Sequence, residues 1–92
     1  MRPTPTECRW EQWNIDLATK HGCTVEEMER LVLFPPAGFP RRSPKRGPNA
    51  AWLVVGRGQG DRPLEVVFLM DEDGQTAVVI HGQYLAPRGR RR

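Results

Sequence analysis

The segment "WEQWNIDLATKHG" places Trp10, Trp13 and Leu17 at helical spacing, with Asp16, Thr19 and Lys20 off that line. The spacing predicts a first helix whose apolar side carries those three residues. Cys8 to Trp10 reads alternatively as a short edge strand leading in. Gly22 suits the left-handed residue that ends a helix, with Lys20 and His21 beside its exposed carbonyls. Thr24 followed by Glu27 is a capping box that restarts a helix at once. In this second helix Val25, Met28, Leu31 and Val32 form the apolar stripe, and Glu26 and Arg30 are spaced to pair on the wet side. The stretch "FPPAGFPRRSPKRGPN" then holds five of the nine prolines, so it reads as a long loop whose start Phe34 and Phe39 pin to the core.

Three strand-like runs follow: "AAWLVVGR", "PLEVVFLM" and "QTAVVIHGQYL". In the middle run both alternating sets are mostly apolar, as expected of a central strand. "RGQGDRP" and "DEDG" are turn-rich breaks, which makes the three an antiparallel meander. The expected fold is therefore α+β: two N-terminal helices packed on a three- to four-stranded antiparallel sheet. Residues 1–87 read as a single domain with a Pro-rich basic loop at 34–49, followed by a basic tail at 88–92.

Charge placement changes this picture more than composition does. "RRSPKR" and "RGRRR" each hold four basic residues and no acid. The remaining six basic residues of fourteen stand against eleven acids, leaving the body at −5. Arg41, Arg42, Lys45, Arg46, Arg88, Arg90, Arg91 and Arg92 are thus candidate contacts to a polyanion, nucleic acid foremost. The ordinary alternative is a solvated loop and tail. The longest apolar run, "AAWLVV", is strand-sized, so no membrane partner is expected. The first ten residues lack the apolar stretch of a signal peptide, and Cys8 and Cys23 read as reduced thiols, which together suggest a cytoplasmic protein.

Several apparent motifs carry no chemistry. Gly56, Gly58 and Gly60 are spaced like a phosphate loop, but a strand follows rather than a helix. "DEDG" has too few oxygen ligands for calcium. Cys8, His21, Cys23 and His81 match no paired-ligand spacing, so neither a metal nor another cofactor is expected. The only serine, Ser43, lies in the basic loop. Lys20, His21, Arg57, His81 and Tyr84 are instead of the types that cleave RNA. That reaction needs a base for the 2′-hydroxyl, a cation for the crowded phosphate and an acid for the leaving oxygen. Each also has an ordinary role open to it: a surface charge, a satisfied sheet histidine, a core-rim aromatic.

"WNIDLATKHGCTVEEMERLV", "FPP", "WLVVGR", "LEVVFL" and "AVVIHGQYL" together resemble the BrnT-type toxins and their uncharacterised relatives. The likeness spans roughly residues 10–84. It implies a RelE-like fold and ribonuclease action that blocks translation, with a small antitoxin protein as partner and RNA, ribosome-associated mRNA among the candidates, as substrate. By position, Lys20, His21 and Gly22 fall on the family's Lys-His-Gly corner, and Arg57 falls on its Gly-Arg strand end. His81, Gly82 and Gln83 fall where the family has Ser-Ala-Arg, so Gln83 replaces a cation. Gly89 stands where the family's helical Glu is expected. These departures leave open a non-catalytic module that holds nucleic acid with its basic loop and tail.

Overall fold

A computed structural model of the chain describes residues 2–43 and 51–86. The elements are β1 (Glu7–Arg9), α1 (Gln12–Thr19), α2 (Val25–Leu33), β2 (Arg41–Arg42), β3 (Trp52–Arg57), β4 (Pro63–Met70) and β5 (Thr76–Tyr84). The fold is α+β, with two helices and one sheet. The sheet is larger than expected, with five strands in the order β1-β5-β4-β3-β2. It is also mixed: β1 runs parallel to β5, pairing Glu7–Arg9 with Thr76–Val78. The short edge strand read at Cys8 to Trp10 forms one residue earlier, at Glu7–Arg9; its parallel pairing with β5 is what three residues are too few to display. The expected loop likewise gives up Arg41 and Arg42, which pair with Leu53 and Trp52 as β2. The rest of the sheet, β3–β4–β5, is the antiparallel meander that the alternation indicates.

Helix α2 forms as its capping box dictates. The Glu27 N–H donates to Thr24 Oγ1 at 3.2 Å, and the Thr24 N–H donates to the Glu27 carboxylate at 2.7 Å. Met28, Leu31 and Val32 are buried against Val54, Leu64, Val66, Phe68 and Val79, and these residues make up most of the core. The expected ion pair between Glu26 and Arg30 does not form among the described residues. Phe34 does not pin the following loop, being 76% exposed, whereas Phe39 packs against the core.

Helix α1 is rotated from the sequence expectation. Trp13 is 51% and Leu17 42% exposed, while Asn14 and Ala18 are fully buried. The reason is how closely α1 approaches β5. A Cβ placed on Gly82 would lie 3.1 Å from the Ala18 carbonyl oxygen, so only small side chains fit between the two elements. The buried Asn14 is fully engaged. Its amide donates to the Arg9 carbonyl at 3.1 Å and the Val79 carbonyl at 2.9 Å, and its oxygen accepts from the Glu11 N–H at 2.7 Å. One side chain thus ties β1, α1 and β5 together. Asn14→Ala is expected to cost about 3 kcal/mol by leaving these groups buried and unpaired. Urea titration of both variants checks this, and Trp13→Ser should stay within about 0.5 kcal/mol of the parent.

A bulge in β5 decides which way its C-terminal half faces. Phe68 pairs with Val79 but Val67 pairs with His81, so Ile80 is the extra residue. Beyond it the alternation is reset. Gly82 and Tyr84 face the helices, while His81 and Gln83 face the side of the sheet opposite them.

Candidate functional site

Among the described residues no strand pairs with the outer edge of β5 beyond Val78, because β1 ends at Arg9. The end of α1 lies over this edge. Lys20 caps α1, and Gly22 at φ +94° turns the chain, its N–H bonded to the Thr19 carbonyl at 2.9 Å. His21, held in this turn, meets His81 with ring centroids 5.8 Å apart in an edge-on arrangement. These are the only two histidines in the chain, and sixty positions separate them. Behind His81 stands Glu65, its carboxylate 3.0 Å from His81 Nε2. A carboxylate in its ionised form only accepts, so the neutral imidazole that suits this contact is the one with its proton on Nε2 and its lone pair on Nδ1. His21 and Lys20 are exposed, and the His81 side chain keeps 26% of its surface in contact with solvent. Glu65, the only charged residue of β4, escaped the sequence reading because it looked like an ordinary polar position in an alternating strand.

Arg57 and Tyr84 belong to a different place. Gly56, Leu64 and Tyr84 align in one row across β3, β4 and β5, so Arg57 and Tyr84 do end at the same end of the sheet. Arg57, however, pairs with Pro63, whereas His81 pairs with Val67. Two strand spacings and four residues separate them, on the order of 16 Å. Arg57 donates to the Asp61 carbonyl at 3.2 Å and borders a cleft of about 360 Å³ that Thr24, Glu26, Glu27, Arg30 and Gln59 also line.

The organiser of that end is Glu27, read from sequence only as a cap. The residue is only 9% exposed, and its carboxylate accepts from the Gln59 N–H at 2.6 Å, the Tyr84 hydroxyl at 2.6 Å and the Thr24 N–H at 2.7 Å. Burial pushes the carboxyl up, but the hydrogen bonds from Gln59, Tyr84 and Thr24 outweigh it and hold the group below its ordinary value. A Cβ on Gly58 would come within 2.5 Å of the same carboxylate, which is why a glycine follows Arg57. Arg62 stacks on the other side of the assembly, its guanidinium carbon 3.6 Å from the Tyr84 ring centre. The Tyr84 hydroxyl, committed to Glu27, is pushed up to about 12 by that hydrogen bond, with burial and the nearby negative charge adding to it. Tyr84 is the only tyrosine, so its ionisation can be followed by ultraviolet absorbance. The midpoint is expected near 12 in the parent and displaced toward 10 in Glu27→Gln; a parent midpoint near 10 would contradict the bond.

Among the nucleic-acid candidates, Arg41 and Arg42 sit on β2. Arg41 donates from Nε to the Gly38 carbonyl at 3.2 Å and lies over Phe39, and Arg42 lies over Trp52. Lys45, Arg46, Arg88, Arg90, Arg91 and Arg92 fall outside the described residues. Cys8 and Cys23 are free thiols, and burial, with the Glu29 carboxylate, pushes Cys8 up to about 12. Among the described residues no group of three or more His, Cys, Asp or Glu is placed to hold a metal ion, and no helix is long and apolar enough to cross a membrane. Compared with family models, curated proteins and solved structures, the chain matches none of them.

Proposed function

We propose that the chain is a toxin-like RNA endonuclease of a type II toxin–antitoxin system, related in fold to the RelE-like, BrnT-type toxins. One observation carries this reading: His21 and His81, remote in sequence, meet at the edge of β5 with Glu65 behind one and Lys20 next to the other in the chain. In the reaction, Nδ1 of His81 takes the proton of the ribose 2′-hydroxyl, and the 2′-oxygen attacks phosphorus. The Lys20 ammonium offsets the charge gathering on the non-bridging oxygens. Protonated His21 gives its proton to the departing 5′-oxygen. The products are a 2′,3′-cyclic phosphate and a 5′-hydroxyl. Base and acid must hold opposite protonation states, so the rate should be bell-shaped in pH. Arg57 and Tyr84 take no step, since one lies on the order of 16 Å away across the sheet and the other is bound to Glu27.

A second reading is a non-catalytic module that holds nucleic acid. The exposed Gln83, two residues beyond His81 on the same side of β5, favours it, because the resembled family has a cation there. The test is incubation of purified protein with RNA in excess chelator, followed by analysis of the ends. Fragments bearing 2′,3′-cyclic phosphates support the nuclease; intact RNA retained by the protein supports the module.

A further inference from the structure

We infer that the β2–β3 edge holds a site for single-stranded nucleic acid, in which an unpaired base stacks on Trp52 while Arg2, Arg41 and Arg42 grip the adjoining phosphates. This deepens the nucleic-acid reading above and rests on it for the kind of ligand, but not for cleavage. The site is a cleft of about 400 Å³ lined by Arg2, Pro40, Arg41, Arg42 and Trp52. Three of these five residues are arginine and none is acidic, on a chain whose body outside the two basic runs is net negative. Such a concentration of one sign selects a polyanion.

The aromatic component narrows the class. Trp52 packs against the core while lining the cleft, and the Arg42 guanidinium lies 5.5 Å from its ring centre. A ring that already accommodates one flat cationic group can accommodate a flat base in the same manner. Trp52 and Arg42 are ladder partners in the sheet, so their separation is fixed by the backbone. Arg41 is steadied by its bond to the Gly38 carbonyl. Duplex bases are stacked on one another and do not reach a ring at the wall of a cleft; unstacked bases do. An acidic peptide would satisfy the arginines but leave the aromatic surface without a flat partner. A second cavity of about 290 Å³ shares Arg2 and Pro40 with the first and is lined by Pro3, Val32 and Phe39, giving apolar room for a neighbouring base.

Trp52 pairs with Phe68 and so belongs to the helix side of the sheet, whereas His81 faces the other side; the cleft and the histidine pair are therefore separate sites.

The experiment measures anisotropy of a labelled single-stranded DNA of about ten nucleotides, a length within the range one small domain covers. It lacks the 2′-hydroxyl, so binding is read whether or not the protein cleaves RNA. Trp52→Leu should weaken binding about tenfold or more, whereas Trp52→Phe should stay within about threefold, because a stacking face remains. Arg2→Ala and Arg42→Ala, both at exposed positions, should each reduce the slope of log affinity against log salt by about 0.7. Circular dichroism checks each variant for folding; if Trp52→Leu is unfolded, Trp52→Phe and the arginine variants decide. The inference is overturned if the arginine variants keep the parent's affinity and slope. It is equally overturned if a duplex of the same sequence binds as tightly as the single strand, or if a polyglutamate peptide displaces the oligonucleotide at equal charge concentration.

Discussion

Replacing His81 with alanine is expected to slow RNA cleavage by roughly 10²- to 10⁴-fold, the usual contribution of a positioned acid or base. The protein should stay folded. His81 lies on the side of β5 away from the helices, and the Glu65 carboxylate it leaves behind keeps 29% of its side-chain surface exposed and can be hydrated. His21→Ala should have an effect of similar size, because the reaction needs both ends of the proton transfer. The double variant should be little worse than either single one, since two groups acting as a unit are not additive. Glu65→Ala is expected to be milder, about tenfold, because it loosens the tautomer and orientation of His81 without removing the base. Single-turnover cleavage of a fluorogenic RNA measures all four. Cleavage that survives both histidine substitutions unchanged would remove this pair from the chemistry.

The largest expected loss of stability comes from Glu27→Ala. The substitution leaves the Tyr84 hydroxyl and the N–H groups of Gln59 and Thr24 without their acceptor beneath the α2 terminus. Each hydrogen bond to a charged group contributes about 1.5–3 kcal/mol, so losing three at part-buried positions is expected to cost about 3–5 kcal/mol, a large part of the 5–15 kcal/mol that holds an ordinary small domain together. Glu27→Gln keeps an acceptor oxygen and should cost about 1–2 kcal/mol. The sign of the pH dependence follows from the carboxyl being held below its ordinary value. The unfolded chain binds the proton more readily, so the stabilisation is complete above the ordinary value of 4.5 and is lost as pH falls from there through the lower folded value. Urea titrations on the acid side should show a falling limb in the parent that is shallower in Glu27→Gln. An equal limb in both would assign acid sensitivity to other carboxylates.

Much of this architecture was legible from local pattern. The capping box at Thr24, the stripe of α2 and the meander were all readable because each is set by neighbours within a few residues. The rotation of α1 was not. Trp13 and Leu17 have the spacing of a buried stripe, but the gap between α1 and β5 admits only Ala18 opposite Gly82, together with an Asn14 whose partners come from two other strands. Pattern reading ranks side chains by hydrophobicity, and here the distance between elements decides. The Ile80 bulge was equally invisible, since an extra residue leaves no mark in a mostly apolar run. Without it, strict alternation would point His81 inward with Val79 and turn Tyr84 outward, away from Glu27. The residue types needed for RNA cleavage could be named from the sequence, but their sorting into a histidine pair and a separate Glu27–Tyr84–Arg62 assembly depends on that single inserted residue.

The most direct measurement is a nuclear magnetic resonance titration of the two imidazoles with a single-stranded oligonucleotide that carries deoxyribose at the scissile position. With only two histidines in the chain, both sets of ring signals are assignable by single substitution. The account predicts that His21 and His81 shift together along one saturation curve. Saturation of the Trp52 signal with both imidazoles unmoved would contradict it, leaving a protein that holds nucleic acid and does not cut it.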